Sequence, residues 1–160
     1  MIMDLKGEYR LAAPRETVWA MLNDPAVLKS CIPGCQSLEM TGENEMSATV
    51  VAKVGPVKAT FTGVVRIEDV EAPRRYSIVG EGKGGIAGFA SGGAHVELEE
   101  DGAETVLRYD VDAKVGGKIA QLGGRLVDST AKKFANQFFD CFAAQVTGDT
   151  SAAVTEPAEA

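Results

Sequence analysis

The sequence predicts an α+β fold: a curved antiparallel sheet of about six to seven strands, two short N-terminal helices and one long C-terminal helix. Three observations carry this expectation. From a Pro33-Gly34 turn to residue 115, apolar residues recur at every second position, the period of a strand with one face buried. The turn-like segments Glu71-Ala-Pro-Arg74 and Glu100-Asp-Gly102 separate neighbouring runs, which makes an antiparallel meander the economical arrangement. In Val115–Phe142 the period changes: Ile119, Leu122 and Leu126 share one helical stripe, and Phe134, Phe138 and Phe142 continue it.

The elements follow in order. Leu5, Gly7, Tyr9 and Leu11 alternate with Lys6, Glu8 and Arg10, a half-buried strand. Pro14 fits the first turn of a helix whose apolar side holds Val18, Trp19 and Leu22. Asp24-Pro25 reads as the cap and first residue of a second short helix through Leu28, followed by the Pro33-Gly34 turn. Met46, Ala48, Val50, Ala52 and Val54 then share one strand face, and Lys53-Val-Gly-Pro-Val-Lys58 turns into the next. There Val57, Ala59, Phe61, Gly63, Val65 and Ile67 face one way. Tyr76, Ile78, Gly80 and Gly82 form the same pattern, as do Gly92, Ala94, Val96 and Leu98, and Leu107, Tyr109, Val111 and Ala113.

A length of 160 residues with 45% hydrophobic content suits one domain, expected over residues 1–146, with a polar, aperiodic tail at 147–160 expected to be disordered. The net charge of −7 disfavours nonspecific nucleic-acid binding, since phosphate contacts need concentrated Lys and Arg. Neither a signal-peptide pattern nor an apolar run of roughly 20 residues is present, so a cytoplasmic location is expected. Three cysteines, Cys31, Cys35 and Cys141, suggest reduced thiols in such a chain. The Cys31-Ile-Pro-Gly-Cys35 spacing lacks the two-residue gap of a zinc knuckle or redox pair, so no metal is expected.

The inward face of the sheet combines Phe61, Tyr76 and Tyr109 with Gly63, Gly80, Gly82, Gly92 and several alanines, and carries no ionisable Asp, Glu, Lys, Arg or His in this register. A curved sheet lined by such small residues leaves room for an apolar cavity, although strand glycines also mark bends. General acid–base catalysis needs a titratable group within reach of the substrate. The only histidine, His95, alternates with the outward set, so no catalytic residue is expected. Tyr76 and Tyr109 are candidate hydroxyls for a ligand oxygen, and Trp19 reads as core. Gly80-Glu-Gly-Lys-Gly-Gly85 has a phosphate loop's composition without the following helix. Lys118, Arg125 and Lys132 recur every seventh residue, a solvated row or a contact for anionic headgroups.

Several of these segments are familiar. Cys31-Ile-Pro-Gly-Cys35, Lys53-Val-Gly-Pro-Val-Lys58, Gly80-Glu-Gly-Lys-Gly-Gly-Ile-Ala-Gly88 and Val115-Gly-Gly-Lys-Ile-Ala-Gln-Leu-Gly-Gly-Arg-Leu126 resemble the CoxG family, the G subunit of carbon monoxide dehydrogenase, as do Ala131-Lys-Lys-Phe134 and Phe138-Phe139. The resemblance covers roughly residues 3–146 and implies the helix-grip fold of START and Bet v 1-like proteins, in which a curved sheet wraps a long C-terminal helix around a hydrophobic cavity. It also implies a role beside molybdenum hydroxylases of the carbon monoxide dehydrogenase type, either in membrane recruitment or in carrying quinone. It brings no catalytic residues and no cofactor.

The leading expectation is a non-enzymatic carrier of a quinone or lipid, cytoplasmic or peripheral at the inner face of the membrane. Its cavity is expected to include Phe61, Gly63, Tyr76, Gly82, Phe89, Tyr109, Ile119, Leu122 and Leu126, with access near Gly116-Gly117 and the loops at Pro33, Pro56 and Gly84-Gly85. Peripheral membrane contact would run through Lys118, Arg125 and Lys132. The alternatives are an interaction module that assembles the oxidoreductase, and a polyketide cyclase or aromatase-like enzyme, which requires His95 or a tyrosine inside the pocket.

Overall fold

The computed structural model describes residues 2–147; most of the expected tail lies outside the described residues. Seven strands, β1 (Ile2–Leu11), β2 (Cys35–Gly42), β3 (Glu45–Val54), β4 (Val57–Glu71), β5 (Arg75–Lys83), β6 (Phe89–Asp101) and β7 (Glu104–Gly116), form one sheet in the order β1-β7-β6-β5-β4-β3-β2. Every neighbouring pair is antiparallel. Helices α1 (Arg15–Leu22) and α2 (Pro25–Cys31) carry the chain from the β1 edge to the β2 edge, and α3 (Gly124–Thr147) returns across the concave face. The period-two reading thus holds from β3 to β7. The edge strand β2, with only Leu38 and Met40 as large apolar residues, had no alternation to announce it.

The N-terminal helices form for local reasons. Pro14 occupies the N-cap position of α1, one residue earlier than expected. Asp24 caps α2 by accepting a hydrogen bond from the Ala26 N–H at 2.9 Å, and Pro25 takes the first helical position, where no N–H is needed. α2 continues beyond Leu28 to Cys31. The Pro33-Gly34 turn closes through the Cys35 N–H to the Ile32 carbonyl at 3.2 Å. Thr105, fully buried, donates to the Ala13 carbonyl at 2.8 Å and ties β7 to the link between β1 and α1.

The C-terminal segment departs from expectation in three ways. Val115–Phe142 is not one helix: β7 runs to Gly116, a 3₁₀ turn spans Ala120–Leu122, and α3 begins only at Gly124. Cross-strand pairing holds Val115 opposite Ala90 and Gly116 opposite Phe89. Gly117 (φ 82°) and Gly123 (φ 100°) then adopt left-handed backbone angles that interrupt a helix. The buried stripe of α3 is also rotated, running through Phe139, Phe142, Ala143 and Val146 while Phe134 and Phe138 are only half-buried. Finally, Cys31 and Cys141 are joined by a disulfide, against the expectation of reduced thiols. The end of α2 meets α3 at a Cα separation of 5.3 Å, a contact between residues 110 apart in sequence. Cys35 is left as a free thiol.

Two packed clusters result. The larger joins Tyr9, Leu11, Val18, Leu22, Cys31, Tyr76, Leu98 and Leu107 to Phe139, Phe142 and Val146 of α3. The smaller, at the other end of the concave face, is built from Val115, Ile119 and Val127, with Phe61, Val54 and Val57 against it.

Candidate functional site

Between the two clusters the concave face holds a hollow of about 340 Å³ lined mainly by apolar and small residues, among them Ala48, Val50, Phe61, Gly63, Ile78, Gly82 and Ala94. Its lining comes from β3 to β7, whose inward positions alternate branched residues with glycine and alanine, and includes no residue of α3 among the described residues. Its lining also includes Glu81 and Asp112, but both belong to the outward alternation of their strands.

Of the residues nominated from sequence, Phe61, Gly63 and Gly82 line this hollow. Tyr76 and Tyr109 lie on the same inward face one alternation away, beside Ile78 and Val111 respectively, and belong to the larger cluster. Phe89 does not face inward: it shares the outward alternation of His95, is 49% exposed, and its ring lies over Gly116 on the outer face. Reading Gly92, Ala94, Val96 and Leu98 as inward already assigns Phe89 to the other side. Ile119 is buried in the smaller cluster instead of bordering the hollow. Leu122 is half-buried in the 3₁₀ turn, and Leu126 packs on Gly55 of the β3–β4 turn. The Gly116-Gly117 end is correspondingly closed. Gly88 and Gly117 are in close contact, and the Ile119 N–H donates to the Ala87 carbonyl at 2.9 Å.

The two inward tyrosines are held differently. The Tyr109 ring lies across Gly7 on β1 and stacks with Phe139 at 5.3 Å. Its hydroxyl is hydrogen-bonded to Tyr9, whose own hydroxyl donates to Asn136 Oδ1 at 2.6 Å. Desolvation raises the Tyr109 pKa and the bond to Tyr9 partly offsets this. Tyr76, 5% exposed, makes an edge contact with Trp19 at 5.2 Å, and burial pushes its pKa well up.

A second hollow, of about 830 Å³, lies on the opposite, outward face. Its walls are cross-strand charge ladders: Arg108 bridges Glu8 and Glu99, and Arg75 and Arg74 both bind Glu71. His95 stands here, exposed, with Nδ1 2.8 Å from the Ser77 hydroxyl. On the same face Asp4 and Asp112 oppose one another, and their shared hydrogen bond raises the Asp112 pKa. His95 is therefore separated from the apolar hollow by the thickness of the sheet; of the two kinds of group the cyclase-like alternative calls for inside, a histidine or a tyrosine, only tyrosines lie on the inward face. Among the described residues no three His, Cys, Asp or Glu side chains gather in a way that would hold a metal ion. Sequence reasoning missed the Cys31–Cys141 bridge and the Gln145 amide that contacts both its sulfurs, at 3.2 Å and 3.5 Å. No local signal marks either.

Lys118, Arg125 and Lys132 are exposed and form no ion pair among the described residues. They are not one helical row, because Lys118 precedes the 3₁₀ turn. No helix among the described residues is long and apolar enough to cross a membrane.

A curved seven-stranded antiparallel sheet, two short helices in the first crossover and a long C-terminal helix over an apolar hollow define a helix-grip protein. Solved structures agree. A conserved protein from Geobacillus kaustophilus is similar at 31% identity and TM-score 0.86, covering 91% of this chain and 96% of that one. The Zhui aromatase/cyclase from Streptomyces sp. R1128 matches at TM-score 0.68 and 14% identity, over 92% of this chain and 94% of that one. Ara h 8.0201 matches at TM-score 0.63 and 14% identity, over 93% and 100%; these last two show the fold alone. No curated protein matches the chain. Residues 7–147 match the family of CoxG, the G subunit of carbon monoxide dehydrogenase, and the chain belongs to that family.

Proposed function

We propose that this protein is a non-enzymatic carrier that holds a neutral hydrophobic molecule, a quinone or lipid, in its concave hollow and serves a molybdenum hydroxylase of the carbon monoxide dehydrogenase type. The observation that carries the reading is the hollow itself: about 340 Å³, lined mainly by apolar and small residues, between two well-packed clusters. No cationic side chain among the described residues lines it, so an anionic headgroup would be buried without a partner there, a cost that keeps charged groups at the rim. Family membership supports the enzyme partner, and the unpaired basic residues support contact with an anionic membrane surface at which such a cargo is collected.

The test is direct. Protein purified under native conditions is denatured and its released small molecules are identified by mass spectrometry; a neutral hydrophobic compound in near-stoichiometric amount is expected. Gly82→Leu should reduce uptake at least several-fold with little loss of stability, because a side chain at Gly82 enters the hollow and its first neighbour, the Thr62 carbonyl, is 3.9 Å from the new Cβ. A protein that is always empty and takes up neither quinone nor lipid sinks the carrier reading. If the empty Gly82→Leu protein still retains the oxidoreductase in a pull-down and still supports its activity in cells, an assembly role replaces it.

A further inference from the structure

The two edges of the sheet are built differently. β2, at one edge, is eight residues long, and its pairing with β3 shifts register twice, between Cys35 and Ser37 and between Met40 and Gly42. Such irregularities turn an edge away from further pairing. β1, at the other edge, runs ten residues in unbroken register with β7 and contains no proline. Among the described residues, no element other than β7 donates or accepts a backbone hydrogen bond with residues 2–8. α3 meets β1 from the concave side, through Phe139 stacked on Tyr9 and Asn136 on the Tyr9 hydroxyl. A long, regular edge of this kind is a template for another strand.

The charges on β1 select the strand it fits. Its outward face carries Asp4, Lys6, Glu8 and Arg10, all exposed, in the order acid, base, acid, base. Let a second copy run antiparallel with Gly7 opposite its own equivalent, so that residues equally far from Gly7 face each other. Asp4 then lies opposite Arg10 of the second copy and Lys6 opposite its Glu8, and the two-fold symmetry repeats both pairs. On the concave side the same register sets Met3 against Leu11 and Leu5 against Tyr9. The neighbouring registers that keep the faces aligned lose this match: one sets Lys6 against Lys6 and Asp4 against Glu8, the other Lys6 against Arg10 and Glu8 against Glu8. The groups are also available. Lys6 forms no ion pair among the described residues, and the β7 neighbour of Asp4 is another carboxylate, Asp112. Arg10 binds Asp101 and Glu104 through Nη1 alone, and Glu8 binds Arg108 through Oε1 alone, so each keeps atoms for a further partner.

We propose that β1 is an interface for a second copy of this chain, the two β1 strands pairing antiparallel about Gly7 and joining two sheets into one. The two-fold axis then stands perpendicular to the joined sheet, and both concave faces open on the same side of it. A single pair of strands buries less surface than a standard stable interface, so the dimer is reversible and concentration-dependent. The pairing does not depend on what the hollow holds.

Sedimentation equilibrium of the full chain, at concentrations up to about 1 mM, tests this. The wild type should pass from monomer to dimer across that range. Lys6→Glu sets carboxylates face to face at both symmetry-related pairs, and Glu8→Lys sets ammonium groups there; either change alone should weaken the dimer about ten-fold. Mixed in equal amounts, the two variants should recover it as a heterodimer, because each supplies the charge that the other lacks. Lys29→Glu, the same change of charge on α2, should leave the dimer at wild-type strength. A native circular dichroism spectrum for each variant separates lost pairing from lost fold. A wild type that stays monomeric at about 1 mM overturns the proposal and leaves the edge to an extended segment of a different protein. A dimer indifferent to both charge reversals overturns it by placing the interface elsewhere. Folded variants that do not recover pairing on mixing overturn it as well, since the register about Gly7 requires that recovery.

Discussion

Gly63, Gly82 and Gly92 all interrupt the inward face, for two different reasons. A Cβ on Gly63 would collide with the Glu81 carbonyl of the neighbouring strand, and one on Gly92 with the Asp112 carbonyl, whereas a Cβ on Gly82 meets nothing closer than 3.9 Å. The first two let strands approach where the sheet curls; the third leaves space. Gly92→Ala should therefore destabilise the protein by about 1–3 kcal/mol, the cost of forced backbone displacement, while Gly82→Ala should stay within about 0.5 kcal/mol. Urea midpoints of the two variants check this, and equal losses would refute the distinction. The sequence shows that these positions are small and inward; it does not show which neighbour's backbone lies over them, because that depends on curvature summed over several strands. Phe89 illustrates the opposite case. Its outward placement was already encoded in the alternation of β6, and its pairing opposite Gly116 gives the exposed ring a surface to cover.

α3 was legible as a helix but not in its start or its rotation. Its beginning is set by backbone angles at Gly117 and Gly123, and its rotation by what it meets: Tyr9 stacks on Phe139 at 4.3 Å, and the disulfide fixes Cys141 toward α2. Phe142, fully buried, is the centre of this plug, and Phe142→Ala should cost about 3–5 kcal/mol in a denaturation experiment. The bridge closes a loop of 110 residues, for which a stabilisation of about 2–4 kcal/mol is typical. Alkylation of protein unfolded without reductant should label Cys35 alone, and all three cysteines after reduction, with a lower thermal midpoint for the reduced form. Three reactive thiols before reduction would contradict the bridge. The pairing was invisible in the spacing of Cys31 and Cys35 because its partner comes from the other end of the chain.

The net charge of −7 conceals a segregation along the long axis of the sheet. Arg10, Arg15, Arg66, Arg74, Arg75 and Arg108 are all committed to ion pairs with carboxylates near the β4–β5 and β6–β7 turns. No lysine forms an ion pair among the described residues, and the opposite end collects Lys53 facing Lys58, Lys83 facing Phe89, Lys114 beside Ile2, and Lys118. The same end exposes Ile86 (89%), Ile2 (64%) and Phe89 (49%). Free cations around protruding apolar side chains suit an anionic lipid surface, where each lysine contributes about 1 kcal/mol and the apolar tip enters the headgroup layer. This extends the proposed membrane contact from Lys118, Arg125 and Lys132 to the whole end that carries the β5–β6 loop. In co-sedimentation at low salt the full chain should bind phosphatidylglycerol vesicles and not phosphatidylcholine vesicles. Binding should fall steeply by about 0.5 M salt as screening shortens the reach of the charges. Ile86→Asp and Lys83→Glu should each weaken binding several-fold, whereas Lys29→Glu, on α2, should change it little. If Lys29→Glu weakens it as much as Lys83→Glu does, attraction is diffuse and no particular end of the molecule faces the membrane.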